Sequence, residues 1–303
     1  VITVTGNNPP TGGGAGTALR FYGNGISDID RVKIQIDNPA NANPGPPADV
    51  GAQDFTVEFW MKANASENTA AAVTCGSNNN WIYGNIVVDR DRYNQDRSYG
   101  LSIAGGRLVF GVDGNGTGTR TICGTTNVLD NQWHHVAIQR RQSDGWMWIF
   151  VDGILQVQSD GPNGDISYPD NGVPGNFCNG SCSWSDPFLV LGAEKHDAGT
   201  QFPSYSGSFD EMKISNSLRY VGNFTRPSSP FVSDANTMAL YHFNEGAGDS
   251  ISDTSGASGG PSNGIRKFGG NPSGPVWIIS DAPLGGGSGD TLAPSVPTNL
   301  QAI

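Results

Sequence analysis

Apolar residues in this sequence come in a dozen short blocks, and no long stretch keeps helical spacing. The blocks include "RVKIQI", "FTVEFWMK", "NIVVD", "YGLSIAG", "RLVFGVD", "HHVAIQRR", "WMWIFVDG", "FLVLGA", "FDEMKIS", "MALYHFN" and "PVWIIS". Gly, Pro, Asn, Asp and Ser fill the gaps between them. Such punctuation predicts an all-β chain: a sandwich of two antiparallel sheets joined by turns and long loops. One short helical turn is expected in "NSLRYVGN" (216–223).

Three spans follow from the composition: residues 1–17, a strand "VITVT" on a Gly/Pro-rich spacer; residues 18–284, the sandwich; and residues 285–303, a Gly/Ser/Pro linker. The formal net charge is −11, which disfavours nucleic acid and anionic membranes as partners. No apolar run reaches the roughly 20 residues of a membrane helix, so no membrane insertion is expected. Val1 reads as a mature N-terminus or an internal cut, since neither an initiator Met nor a signal-peptide core is present.

Four cysteines fit two disulfides and a secreted or cell-surface protein. Cys178 and Cys182 in "CNGSC" could close a tight loop, leaving Cys75 for Cys123. A zinc site would need two close-spaced pairs, which these spacings do not supply.

Two carboxylates stand together in "SGSFDEMKISN" (206–216). Strict alternation puts Asp210 with Met212 and Ile214 on the inward face and Glu211 outward beside Lys213. A glycosidase needs two carboxylates facing one site, and alternation separates this pair. Glu58 stands alone among apolar residues, and Asp89 and Asp91 sit among arginines, where salt bridges are the expected role. No nucleophile elbow, H-E-x-x-H motif or phosphate loop is present, so a non-catalytic domain is expected. In "WHHVA", Trp133, His135 and Ala137 share a face; one of His134 and His135 is expected buried and hydrogen-bonded, the other on the surface. "VDG" reads as a hairpin turn with Gly153 at positive φ.

Taken in order, "QWHHVAIQRRQSDGWMWIFVDG", "GSFDEMKISN" and "MALYHFNEGAGDSISDTSG" resemble the laminin G-like, concanavalin A-like jelly-roll family found in bacterial surface proteins. The resemblance spans about residues 18 to 280 and implies a jelly-roll sandwich. It also implies a structural calcium, Ca2+, at Asp210. Companion ligands would come from "FYGNGISDID": the side chains of Asn24 and Asp28 and the carbonyls of Gly23 and Gly25. Tyr22 stands where that family often has an Asp. Separately, "TLAPSVPTNLQAI" resembles the opening strand of a fibronectin type III domain.

Two functions follow as expectations. The first is a non-catalytic carbohydrate-binding or adhesion module of a larger secreted protein, its partner a glycan or extracellular polymer. Loop aromatics Trp81, Tyr83, Tyr93, Trp184 and Tyr205 would meet the sugar rings. The alternative is a structural subunit of an extracellular filament or surface layer, binding copies of itself through strand exchange at its termini.

Overall fold

The computed structural model describes residues 16–38, 41–170 and 187–285. Strand "VITVT", the loop cysteines Cys178 and Cys182, Trp184 and the fibronectin-like segment lie outside the described residues.

Two eight-stranded antiparallel sheets form the sandwich. The first runs β10 (Ile154–Ser159), β9 (Met147–Val151), β8 (Asp130–Arg140), β3 (Phe55–Asn64), β12 (Ser206–Ser215), β1 (Thr17–Tyr22), β18 (Val276–Ile279), with β13 (Thr237–Tyr241) also pairing β12. The second runs β14 (Ser250–Ile251), β15 (Gly264–Lys267), β2 (Arg31–Gln35), β11 (Phe188–Leu191), β4 (Asn85–Arg90), β5 (Ser98–Ala104), β6 (Arg107–Asp113), β7 (Thr119–Cys123). A small hairpin, β16 (Gly269–Gly270) with β17 (Ser273–Gly274), lies apart. The expected helical turn at 216–223 is absent: that segment is bends held by Thr56 and Gln139, whose side chains accept the Arg219 and Tyr220 amides. The one helical turn among the described residues is a 3-10 helix at Asn80–Tyr83.

Alternation builds the core as expected. Phe21, Val57, Phe59, Val136 and Ile138 of the first sheet meet Val32, Ile34, Val88, Leu101 and Phe110 of the second in one buried cluster. Phe59 and Phe209 stack at 4.5 Å, and each such ring contributes about 1.5–3 kcal/mol through burial. Asp152 and Gly153, both at positive φ, form the two-residue hairpin turn between β9 and β10.

The inward placement of Asp210 does not hold. Asp210 pairs with Trp60 and Met212 with Phe59, so Glu211, at φ 41°, is one residue too many for the ladder. This bulge resets the faces. Phe209, Met212 and Ile214 all enter the core, while Asp210 faces out beside Trp60. The bulge also marks a change of neighbour: β1 pairs Ser206–Phe209 and β13 pairs Met212–Ser215.

That outer face is covered in turn. Segments at 216–235 and 278–284 lie over it, and Trp60, Trp133, Phe231 and Leu240 form a second buried cluster there. Within it Glu58 and His135 are fully buried, and Glu58 bonds His135 Nε2 at 3.2 Å, the Tyr220 hydroxyl at 2.5 Å and Lys213 Nζ at 3.1 Å. Burial pushes the Glu58 carboxyl up, but His135 and Lys213 outweigh it and hold it below its ordinary range. Neither histidine is a surface residue: His134 is also buried, its two ring nitrogens on Asp152 and Asp130 at 2.7 and 3.0 Å.

Candidate functional site

Asp210 is buried, accepts the Glu211 amide at 2.8 Å, and accepts the Ser280 hydroxyl. Burial, only partly offset by Ser280, raises its pKa to about 7. Glu211, also buried rather than outward, accepts the Phe231 amide at 2.8 Å and meets His242 Nδ1 at 2.7 Å. The acids fasten covering segments to the sheet.

The other expected calcium ligands lie elsewhere. Tyr22 pairs with Ser206, so Asp210 falls four positions along β12 from the loop that leaves Tyr22, about 13 Å. In that loop Asp30, unnoticed in the sequence, accepts the Tyr22 and Asn24 amides, both at 2.8 Å. Asn24 donates to the Pro272 carbonyl, and the Gly25 carbonyl accepts from Arg31. Asp28 is surrounded by cations: Arg31 at 3.8 Å, Lys33 at 3.4 Å and Lys267 at 3.3 Å. Gly23 turns at φ 77° against the Ser204 and Tyr205 carbonyls. Asp210 thus stands apart from the loop that carries Gly23, Asn24, Gly25 and Asp28, and the charge of Asp28 is already offset by three cations.

The rings proposed for sugar contact divide. Tyr205 is fully buried and hydrogen-bonds the Ser208 carbonyl at 2.8 Å, so it belongs to the core. Trp81, Tyr83 and Tyr93 line one cavity of about 420 Å³ at the end of the second sheet. The loop 91–97 between β4 and β5, the helical turn with Asn79, and the loop after β11 wall it. Trp81 is its floor, 2% exposed. It lies flat on Gly100 and Gly111, where any Cβ would fall 2.1 and 1.8 Å from the indole. Tyr83 is 45% exposed and stacks on Phe202 at 5.9 Å and 15°. Tyr93 meets the His196 ring edge-on at 5.6 Å. A Cys75–Cys123 disulfide anchors the segment that leads into Trp81 and Tyr83 to β7.

Acids line the same cavity: Asp91, Asp96, Asp113, Glu194 and Asp197. Val190 pairs with Asp89, which brings the end of β4 beside "GAEKHD". Asp91, Glu194 and His196 then place one ligand atom each within 4.8 Å of the others. His196 Nδ1 lies 3.2 Å from Glu194 and 3.6 Å from Asp91. Burial pushes Glu194 up, but His196 and the Asp197 amide hold it below its ordinary value. Asp197 is raised to about 6 by burial and by the charge of Glu194, and Asp113 to about 6 by burial. The salt bridges expected for Asp89 and Asp91 are replaced: Arg92 pairs with Asp96 at 3.5 Å, Asp91 lies 3.6 Å from His196 Nδ1, and Asp89 is buried and accepts the Lys195 amide at 2.8 Å. Exposed rings beside hydrogen-bond acceptors can hold a polyhydroxylated ligand. Glu194, His196, Asp197 and Phe202 were not singled out in the sequence.

This chain is similar to several solved structures. A protein from Bacteroides ovatus ATCC 8483, described as a candidate carbohydrate-binding protein, superposes with a TM-score of 0.52 at 15% identity, over 89% of this chain and 62% of that one. This chain therefore spans less than two thirds of that protein. Mouse laminin α1 domains LG4-5 give 0.41 at 13% identity, over 80% and 50%. The CBM40 of the Ruminococcus gnavus IT-sialidase, solved with α2,3-sialyllactose, gives 0.42 at 14%, over 67% and 91%. No curated protein sequence matches the chain. The laminin G-like profile of the concanavalin A-like lectin/glucanases superfamily matches residues 36–220. With the two-sheet sandwich already described, that match places the chain: it belongs to the concanavalin A-like lectin/glucanases superfamily, as a laminin G-like domain.

Proposed function

We propose that the chain is a non-catalytic carbohydrate-binding module of a larger secreted or cell-surface protein. The observation that carries this reading is the 420 Å³ cavity, where Tyr83 and Tyr93 stand beside a row of carboxylates. Rings stack on sugar faces, and carboxylates accept sugar hydroxyls. The disulfide supports an oxidising compartment. No helix among the described residues is long and apolar enough to cross a membrane. Strand exchange would use termini outside the described residues, and no observation favours it.

A glycan array tests the reading. Tyr83→Ala and Tyr93→Ala should each weaken the array signal about tenfold, the loss of one stacked ring. Binding untouched by either change, or release of reducing sugar from a bound glycan, overturns it.

Calcium enters as a separate proposal at a different place. Asp91, Glu194 and His196 are the one group among the described residues with three clustered ligand atoms. Two carboxylates and an imidazole suit zinc or manganese; calcium, which takes oxygen ligands, would use the two carboxylates without His196. A bound cation would raise the melting temperature in its presence. A melting temperature indifferent to EDTA, calcium and zinc ends this proposal.

A further inference from the structure

A second concavity, about 550 Å³ and open, lies beyond the turn between β6 and β7. Thr117, Ser143, Asp144, Trp146, Asp160 and Asn163 line it. Trp146 and the neighbouring Trp148 are half-buried, with centroids 6.1 Å apart and planes tilted by 31°. Trp148 is fixed: its Nε1 donates to Gln158 at 2.9 Å, and the Arg141 guanidinium sits 5.5 Å over its ring. Trp146 is the ring that faces the concavity.

The two concavities flank one ridge. Asp113 lines the first and Thr117 the second, and these two residues are four positions apart, at most about 14 Å of chain. The ridge is closed by Gly114 N–H donating to the Gly118 carbonyl at 2.9 Å, and by Thr117 donating to the Asn163 carbonyl at 3.2 Å. Gly114, Gly116 and Gly118 leave it without side chains at three positions, and a Cβ at Gly116 or Gly118 would point into open space. With its amide oriented by its partners, Asn115 on the ridge donates to Asp96 at 3.2 Å and accepts from Arg97 at 2.8 Å. Asp96 belongs to the first cavity, so the ridge and that cavity share a hydrogen-bonded rim.

Charge narrows the occupant. Both concavities are lined by carboxylates, and two of the arginines beside them are paired with acids: Arg141 with Asp144 at 2.6 Å, Arg97 with Asp165 at 3.8 Å. An anionic sugar would be repelled at both ends. A terminal monosaccharide would need only one concavity.

We propose that the Tyr83–Tyr93 cavity and the Trp146 ledge are two subsites for one extended, uncharged polysaccharide crossing the 114–118 ridge. The inference rests on the carbohydrate-binding reading above. It follows from two ring-and-carboxylate concavities placed on either side of a ridge without bulky side chains.

Length dependence tests it. Neutral cello-, xylo-, manno- and chito-oligosaccharides, from disaccharide to octasaccharide, would be titrated by calorimetry, with polygalacturonate and alginate as anionic counterparts. Affinity should rise with length until both subsites are filled. Trp146→Ala should lower octasaccharide affinity about tenfold and leave disaccharide affinity unchanged. Tyr83→Ala should weaken both. Asp160→Ala, an exposed change on the same ledge, gives a second variant with the Trp146→Ala signature should that one fail to fold. Affinity independent of length, long-chain binding indifferent to both ledge variants, or tighter binding of the polyanions overturns the two-subsite proposal while leaving a single site standing. Binding of no glycan at all overturns the underlying reading and this one with it.

Discussion

Two regions of this sandwich concentrate acids and aromatic rings, and they end in opposite states. On the outer face of the first sheet, Glu58, Asp210 and Glu211 lie among Trp60, Tyr220 and Phe231, and the chain's own segments cover them. At the end of the second sheet, Asp91, Asp113 and Asp197 lie beside Tyr83 and Tyr93 and stay open to solvent. The chemistry is similar, but the partners differ. Covered acids take amides, hydroxyls, histidines and a lysine from the same chain. Open acids keep room for an outside molecule. Ring-and-carboxylate composition alone therefore does not mark a binding site; the presence or absence of a cover does.

The largest effect should come from breaking the covered side. Glu58→Ala leaves Lys213, His135 and the Tyr220 hydroxyl buried without their shared acceptor, and should cost about 3–5 kcal/mol in urea denaturation. Glu58→Gln, which keeps an acceptor, should recover part of it.

The open end replaces cover with a covalent tie. Cys75 and Cys123 are 48 residues apart, so a Cys75→Ser, Cys123→Ser double variant should lose about 4 kcal/mol. A double variant as stable as the parent would show that the open end needs no such tie.

Asp210 tests the electrostatic cost of covering an acid. Its pKa is about 7 in the fold against an ordinary 3.8, so the folded state binds the extra proton between those values. Stability should fall as pH rises from about 4 to 7 and stay low above that. Asp210→Asn keeps the bonds to Glu211 and Ser280 and removes that fall, gaining up to about 4 kcal/mol at pH 8 and nothing at pH 3. A parallel pair of pH–stability curves would contradict this.

The smallest stability effect belongs to the open rings. Tyr83→Ala should change the melting temperature hardly at all, since Tyr83 is 45% exposed, while weakening glycan binding. A large loss of stability would move Tyr83 to the structural side of the comparison.

Much of the fold was legible because apolar alternation and turn residues are local signals. The hairpin at Asp152–Gly153 and the inward faces of β3 and β8 follow from them directly. Alternation read back from Met212 and Ile214 failed at Asp210, because one inserted residue, Glu211, reverses the faces on its far side and leaves no local trace in the sequence. The cavity was half legible. Tyr83 and Tyr93 announced themselves as loop aromatics. Glu194 and His196 did not, because only the pairing of β11 with β4 carries them to Asp91. Tyr205 misled because an aromatic flanked by Ser, Pro and Gly looks exposed, whereas its hydroxyl ends on a buried carbonyl.

The pairing of β1 has a consequence in time. Its neighbours are β12 and β18, and neither is synthesised until Ser206 or later. At about 5–20 residues per second, Thr17–Tyr22 waits roughly ten to forty seconds with Leu19 and Phe21 uncovered. Among the described strands no other waits as long for a partner, and the sandwich closes only when its first strand meets its last.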